Sequence, residues 1–78
     1  MRVLFFAQLR EAAGAAEGVI DADGIDASAL WQALLEHWPG LASHRAHTRL
    51  ARNGTYAAPE EVFRVNDEVA LLPPVSGG

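Results

Sequence analysis

The spacing of apolar positions changes several times along the chain, and each change marks a different element. Val3 to Ala7 is an unbroken apolar run of β-branched and aromatic residues, which predicts a strand buried on both faces. Leu9 to Ala13 offers one helical turn before Gly14 ends it. Glu17 to Ala22 sets Val19 and Ile20 between Gly18 and the Asp23-Gly24 turn pair, predicting a second strand paired with the first. Ala27, Leu30, Trp31, Leu34 and Trp38 then fall at i, i+3, i+4, i+7 and i+11. That is one stripe of an amphipathic helix, with Leu35 at its edge and Gln32 and Glu36 outside it. The Asp26 carboxylate can accept from the free N–H groups of the first turn, and Pro39-Gly40 stops the helix.

Residues 41–47 show no decisive period and read as a loop or one further helical turn. Thr48 to Arg52 predicts a strand. Asn53-Gly54 is a type I′ hairpin signal leading into Thr55-Tyr56-Ala57. Pro59-Glu60-Glu61 and Val65 to Glu68 read as turns, the second leading into a last strand from Val69 to Leu72. The resulting order is strand, strand, helix, then two or three strands. The economical packing is an α+β fold with one main helix across one face of a mixed sheet. With no repeat and no linker, the expectation is a single domain over residues 1–74 and a flexible tail over residues 75–78.

Composition narrows the chemistry. The chain has 78 residues, half of them hydrophobic, which is globular but leaves a small core. Without cysteine there is no disulfide, no thiolate zinc and no Cys nucleophile. Ten acidic residues against six basic ones give a net charge of −4, which opposes binding to nucleic acid. All six basic residues are arginine, so Schiff-base chemistry is excluded, as is a polymer linked through the chain's own lysines. No run approaches the ~18–20 apolar residues of a membrane span. The apolar start is interrupted by Gln8, Arg10 and Glu11 too early for a secretory signal, so a cytoplasmic domain without membrane contact is expected. His37, His44 and His47 match no zinc spacing, and no metal is expected. Glu60-Glu61 and Asp67-Glu68 read as turn residues, because neighbours on an extended chain point to opposite faces. Trp31 and Trp38, seven apart on the helix stripe, read as core or sheet contact and not as a cofactor site.

The last six residues are different in kind. Pro73-Pro74 fixes an extended exit from the sheet, and Val75-Ser76-Gly77-Gly78 follows it. Four residues reach at most about 14 Å when extended. Two glycines make a thin tip that fits a tunnel closed to side chains, and the Gly78 carbonyl is unshielded from a nucleophile. A free carboxylate is a poor acyl donor, so such chemistry first needs activation, most simply as an acyl-adenylate. Leu72, Pro73, Pro74 and Val75 form an apolar collar at the root, a natural docking surface for a partner that takes the tail. Phe6 either extends that collar or belongs to the core, and Arg10 either meets a partner carboxylate or is solvated.

Leu4-Phe5-Phe6-Ala7-Gln8-Leu9-Arg10-Glu11 and Asn66-Asp67-Glu68-Val69-Ala70-Leu71-Leu72-Pro73-Pro74-Val75-Ser76-Gly77-Gly78 resemble the small subunit of molybdopterin synthase. The likeness in length and element order covers essentially the whole chain. Two departures stand out: Asn66 replaces a usual glycine, where Asn would tolerate positive φ, and Arg52 to Tyr56 departs from the commoner Val-Asn lead into the hairpin. The resemblance implies a ubiquitin-like β-grasp fold and a sulfur carrier that is not itself catalytic. A ubiquitin-activating-like adenylyltransferase would use ATP to adenylate Gly78, and a sulfur donor would convert it to a thiocarboxylate. The tail, with Gly77, Ser76, Val75, Pro74, Pro73, Leu72 and Phe6 docking or inserting, would enter the large subunit's active site. There the sulfur passes to a cyclic pyranopterin monophosphate, in a heterotetramer of two small and two large subunits. No cofactor is implied on this chain. The alternatives are a thiamine-pathway sulfur carrier, a protein modifier conjugated through Gly78, and an interaction module with an idle tail.

Overall fold

The computed structural model describes residues 1–74. Its strands are β1 (Arg2–Phe5), β2 (Glu17–Val19), β3 (Arg49–Arg52), β4 (Thr55–Tyr56) and β5 (Glu68–Leu72). The helices are α1 (Gln8–Ala13) and α2 (Ala27–His37), and a 3-10 segment follows over Pro39–His47. The sheet runs β2-β1-β5-β3-β4. β1 and β5 are parallel, with Val3 opposite Val69 and Phe5 opposite Leu71, and the other pairs are antiparallel. A mixed sheet crossed by one main helix is the β-grasp arrangement the sequence predicts.

α2 forms where the stripe predicts it. The Asp26 carboxylate accepts from the Ala29 N–H at 2.9 Å, and Leu30, Trp31 and Leu34 are buried. They pack on Val3 and Phe5 of β1, Val69 and Leu71 of β5, and Ile20, Leu41 and Phe63. Phe63 reaches this core because Ile25 and Phe63 exchange backbone hydrogen bonds at 3.1 and 2.8 Å, tying the lead into α2 to the segment after β4. The hairpin is type I′ as expected: Asn53 and Gly54 both have positive φ, 51° and 86°.

Several boundaries differ from the sequence expectation, each for a local reason. β1 stops at Phe5 and is fully buried on one face only, with Val3 and Phe5 inside, Leu4 half-buried and Arg2 exposed. Ala7, in the predicted strand, instead takes φ 52° and ψ −131° and turns the chain into α1. β2 stops at Val19, although Ile20 still donates its N–H to the Met1 carbonyl at 3.0 Å. Residues 39–47 form the 3-10 segment, and Asn66 does not have positive φ. Trp38 leaves the helix as its C-cap, with φ −133°, and its ring meets Phe5 edge-on at 4.9 Å between centroids.

Gly40 is needed for space and not for conformation. A Cβ there would overlap the carbonyl oxygen of Ala12 in α1, a backbone atom that cannot swing aside. Gly40→Ala is therefore expected to destabilise the fold by about 1–3 kcal/mol, the usual cost of overpacking. A wild-type urea midpoint in that variant would show that α1 and the 3-10 segment are not held together here.

Candidate functional site

The chain leaves the sheet from its middle. β5 lies between β1 and β3, so its C-terminal end emerges with Phe6 on one side and the start of β3 on the other. The Phe6 N–H donates to the Leu71 carbonyl at 3.3 Å, continuing the ladder one step past β1. Leu71 is buried against α2, and by alternation Leu72 turns to the other face. Leu72 and Pro73 are half-buried and Pro74 is exposed. Phe6 is 42% exposed, so it lies at the surface beside the end of β5 and not in the core. Val75, Ser76, Gly77 and Gly78 lie outside the described residues.

The same alternation fills the sheet face opposite α2. Leu4 stands across from Ala70, Ala70 from Ala51, and Ala51 from Tyr56. With Phe6 and Leu72 these residues form an apolar surface that leads to the root of the tail. Tyr56, 52% exposed, is its far aromatic corner. An apolar face of this kind on a small domain is a feature of interaction sites.

Charges border the face. At the end away from the tail, Arg2 bridges Glu17 at 2.8 Å and Glu68 at 3.2 Å. Arg49 stands opposite Leu72 at the tail end, with its guanidinium carbon 4.4 Å from the centre of the Tyr56 ring. Arg10, exposed on α1, has no carboxylate within ion-pair distance among the described residues.

The remaining carboxylates near the sheet are structural. Arg52 holds Asp67 at 2.5 Å and Glu61 at 2.9 Å, and Asp67 also accepts from Asn53 Nδ2 and from the Arg64 N–H. Asp67 is only 8% exposed, and the Arg52 guanidinium, with the Arg64 and Asn53 donors, lowers its pKa to about 2. Glu61 is lowered in the same way, by Arg52 first and the Ala58 N–H second. Asp67 and Glu61 thus share one guanidinium, which sequence reasoning missed. Nothing local signals it, because Arg52 and Asn53 lie 15 and 14 residues from Asp67. Glu60-Glu61 and Asp67-Glu68 are turn and strand-end residues, with Glu61, Asp67 and Glu68 each engaged by an arginine.

His37 lies in the last turn of α2, and His44 and His47 lie in the 3-10 segment. His37 Nδ1 lies 3.0 Å from the Ala33 carbonyl, and the His44 carbonyl accepts from the Thr48 hydroxyl at 2.6 Å. Among the described residues no three His, Cys, Asp or Glu side chains are grouped so as to hold a metal ion, and no helix is long and apolar enough to cross a membrane. What the described residues offer is an apolar surface at the end of β5.

Known proteins share this fold. The ThiS family model matches residues 3–78. The molybdopterin synthase sulfur carrier subunit of Chlamydomonas reinhardtii is 36% identical over 81 residues, covering 100% of this chain and 98% of that protein. The crystal structure of SAMP1 from Haloferax volcanii, a small archaeal modifier protein, superposes with a TM-score of 0.84 at 35% identity, covering 99% of this chain and 97% of that one. A subunit in the complex of subunits 1 and 2 of the molybdopterin-converting factor from Helicobacter pylori superposes with a TM-score of 0.68 at 27% identity, covering 99% and 96%.

Proposed function

The chain belongs to the ThiS family, and we propose that it is the sulfur carrier subunit of a molybdopterin synthase, working in the cytoplasm. The observation that carries this reading is the end-to-end match to a molybdopterin synthase sulfur carrier subunit, with an apolar face leading to the point where the tail leaves the sheet.

The chemistry follows from what the chain has and lacks. An activating adenylyltransferase joins the α-phosphoryl group of ATP to the Gly78 carboxylate and releases pyrophosphate. A sulfur donor at the sulfide level then displaces AMP and leaves a thiocarboxylate. The face of Phe6, Leu72, Pro73 and Tyr56 docks on the large subunit, and Val75 to Gly78 enter its active site. General acids and bases come from that partner, because the carboxylates around this sheet are already held by arginines. The assembly pairs two small with two large subunits. The complex from Helicobacter pylori supports a large-subunit partner of this kind.

A direct test is the intact mass of the protein after incubation with ATP, a sulfur donor and the activating enzyme. The expected gain is that of one oxygen exchanged for sulfur at the terminus. A terminus that stays a carboxylate under conditions that charge a known carrier would refute the reading. Similarity to SAMP1 favours a second reading, conjugation through Gly78 to lysines of other proteins. Under that reading the same incubation with cell protein gives stable higher-mass adducts.

A further inference from the structure

The arginines near the sheet are not equivalent. Arg2 is occupied by Glu17 and Glu68, and Arg52 by Glu61 and Asp67. Arg49 meets no carboxylate among the described residues and lies over the exposed ring of Tyr56 instead. Stacking uses the face of a guanidinium and orients it, while its five N–H donors remain along the edge, available to a planar acceptor. The register puts this cation directly across from Leu72, the last strand residue before the prolines. A chain with net charge −4 therefore presents an oriented, uncompensated positive group beside the root of its tail.

The other end of the same face has the opposite sign. One arginine between two glutamates leaves Arg2, Glu17 and Glu68 with an excess negative charge. Glu68 and Leu72 are the two ends of β5, about 13 Å apart along an extended strand. The apolar surface between them thus carries an electrostatic direction, positive at the tail and negative away from it. A partner docked the wrong way round would meet like charges.

We propose that Arg49, held by Tyr56, docks on an aspartate or glutamate of the large-subunit partner, and so fixes the orientation in which the tail is presented. This rests on the carrier reading, since it needs a partner at that face. The acceptor is a carboxylate of the partner protein and not a nucleotide phosphate.

The test titrates full-length wild type, Arg49→Ala, Arg49→Glu and Arg49→Lys against the synthase large subunit and against the activating enzyme, without nucleotide, at low and moderate salt. Wild type should bind with an affinity that falls as salt rises. Arg49→Ala should bind about tenfold more weakly and Arg49→Glu about a hundredfold more weakly, the alanine variant with a flatter salt dependence. Arg49→Lys should recover only part of the loss, because a lysine keeps the charge without the planar fork. Arg49 is exposed, so melting temperatures should match the wild type. Wild-type affinity and salt dependence in Arg49→Ala would overturn the proposal while leaving the carrier reading standing. A loss confined to the activating enzyme would assign Arg49 to that protein and overturn it too. Failure of the wild type to bind either partner would remove both readings.

Discussion

Deleting Gly77 and Gly78 is expected to abolish sulfur transfer while leaving the fold unchanged. The hydrogen-bonded register of the sheet is complete by Leu72, with Leu72 across from Arg49 and Leu71 across from both Phe5 and Leu50. The core residues of β5, Val69 and Leu71, lie well before the deletion. The truncated chain should therefore melt within about 3 °C of the wild type, as expected for a change away from the core. Function should respond in the opposite way. Without the terminal glycines, the activated carbonyl moves back to Ser76 and loses two residues of reach, about 7 Å. The side chain at the new terminus also crowds the carbonyl. Product formation by the large subunit should fall to the level seen with no carrier added. Gly77→Val should behave similarly, because a β-branched side chain obstructs a narrow tunnel without shortening the tail. Sulfur transfer at a wild-type rate by the folded deletion variant would rule out the carrier mechanism and leave docking as the chain's role.

Legibility in the sequence followed the range of the forces involved. Elements set by local pattern were readable: the α2 stripe with its Asp26 cap, and the Asn53-Gly54 turn whose two positive φ angles few other residue pairs supply. The end of the last strand at Leu72 was readable because prolines follow a buried-strand pattern directly. Features decided by contact between distant segments were not. Trp38 fits the helical stripe by spacing, yet the helix has ended and the ring is placed by Phe5 of β1 and by Gly18 of β2, where a Cβ would overlap it. Phe6 could be core or surface by composition, and the positive φ of Ala7 after it belongs to the turn that ends β1. Arg49 stands out only through the register that sets it across from Leu72, because a separation of 23 residues conceals the pairing from any local reading. Nothing local marks Phe63 for the core, which it joins through its bridge with Ile25, 38 residues away.

Asp67→Ala should be among the most destabilising single substitutions at a polar position. The carboxylate joins three parts of the chain: Arg52 at the end of β3, Asn53 in the hairpin turn, and the Arg64 N–H in the turn before β5. Asn53 reinforces the link, since its Oδ1 accepts from the Glu68 N–H at 2.9 Å and its own N–H donates to the Glu68 carbonyl at 2.8 Å. Removing the carboxylate leaves a half-buried guanidinium with only Glu61 and strips partners from two further donors. The expected loss is about 3 kcal/mol, or roughly 15 °C in melting temperature for a domain of this size. Asp67→Asn should lose less, because one amide oxygen can still accept. The acid dependence gives a second check. The folded pKa of about 2 lies below the unfolded value near 4, so the unfolded chain takes up the proton first as pH falls. The stabilisation from Asp67 is therefore complete above about pH 4 and is lost as pH falls toward 2, with Glu61 shifted in the same direction. Wild type should lose stability across that window more steeply than Asp67→Asn in urea titrations at stepped pH. Parallel losses in the two proteins would show that another carboxylate governs acid unfolding. A steeper wild-type curve would establish Asp67 as the lock that holds the hairpin to the strand from which the tail leaves.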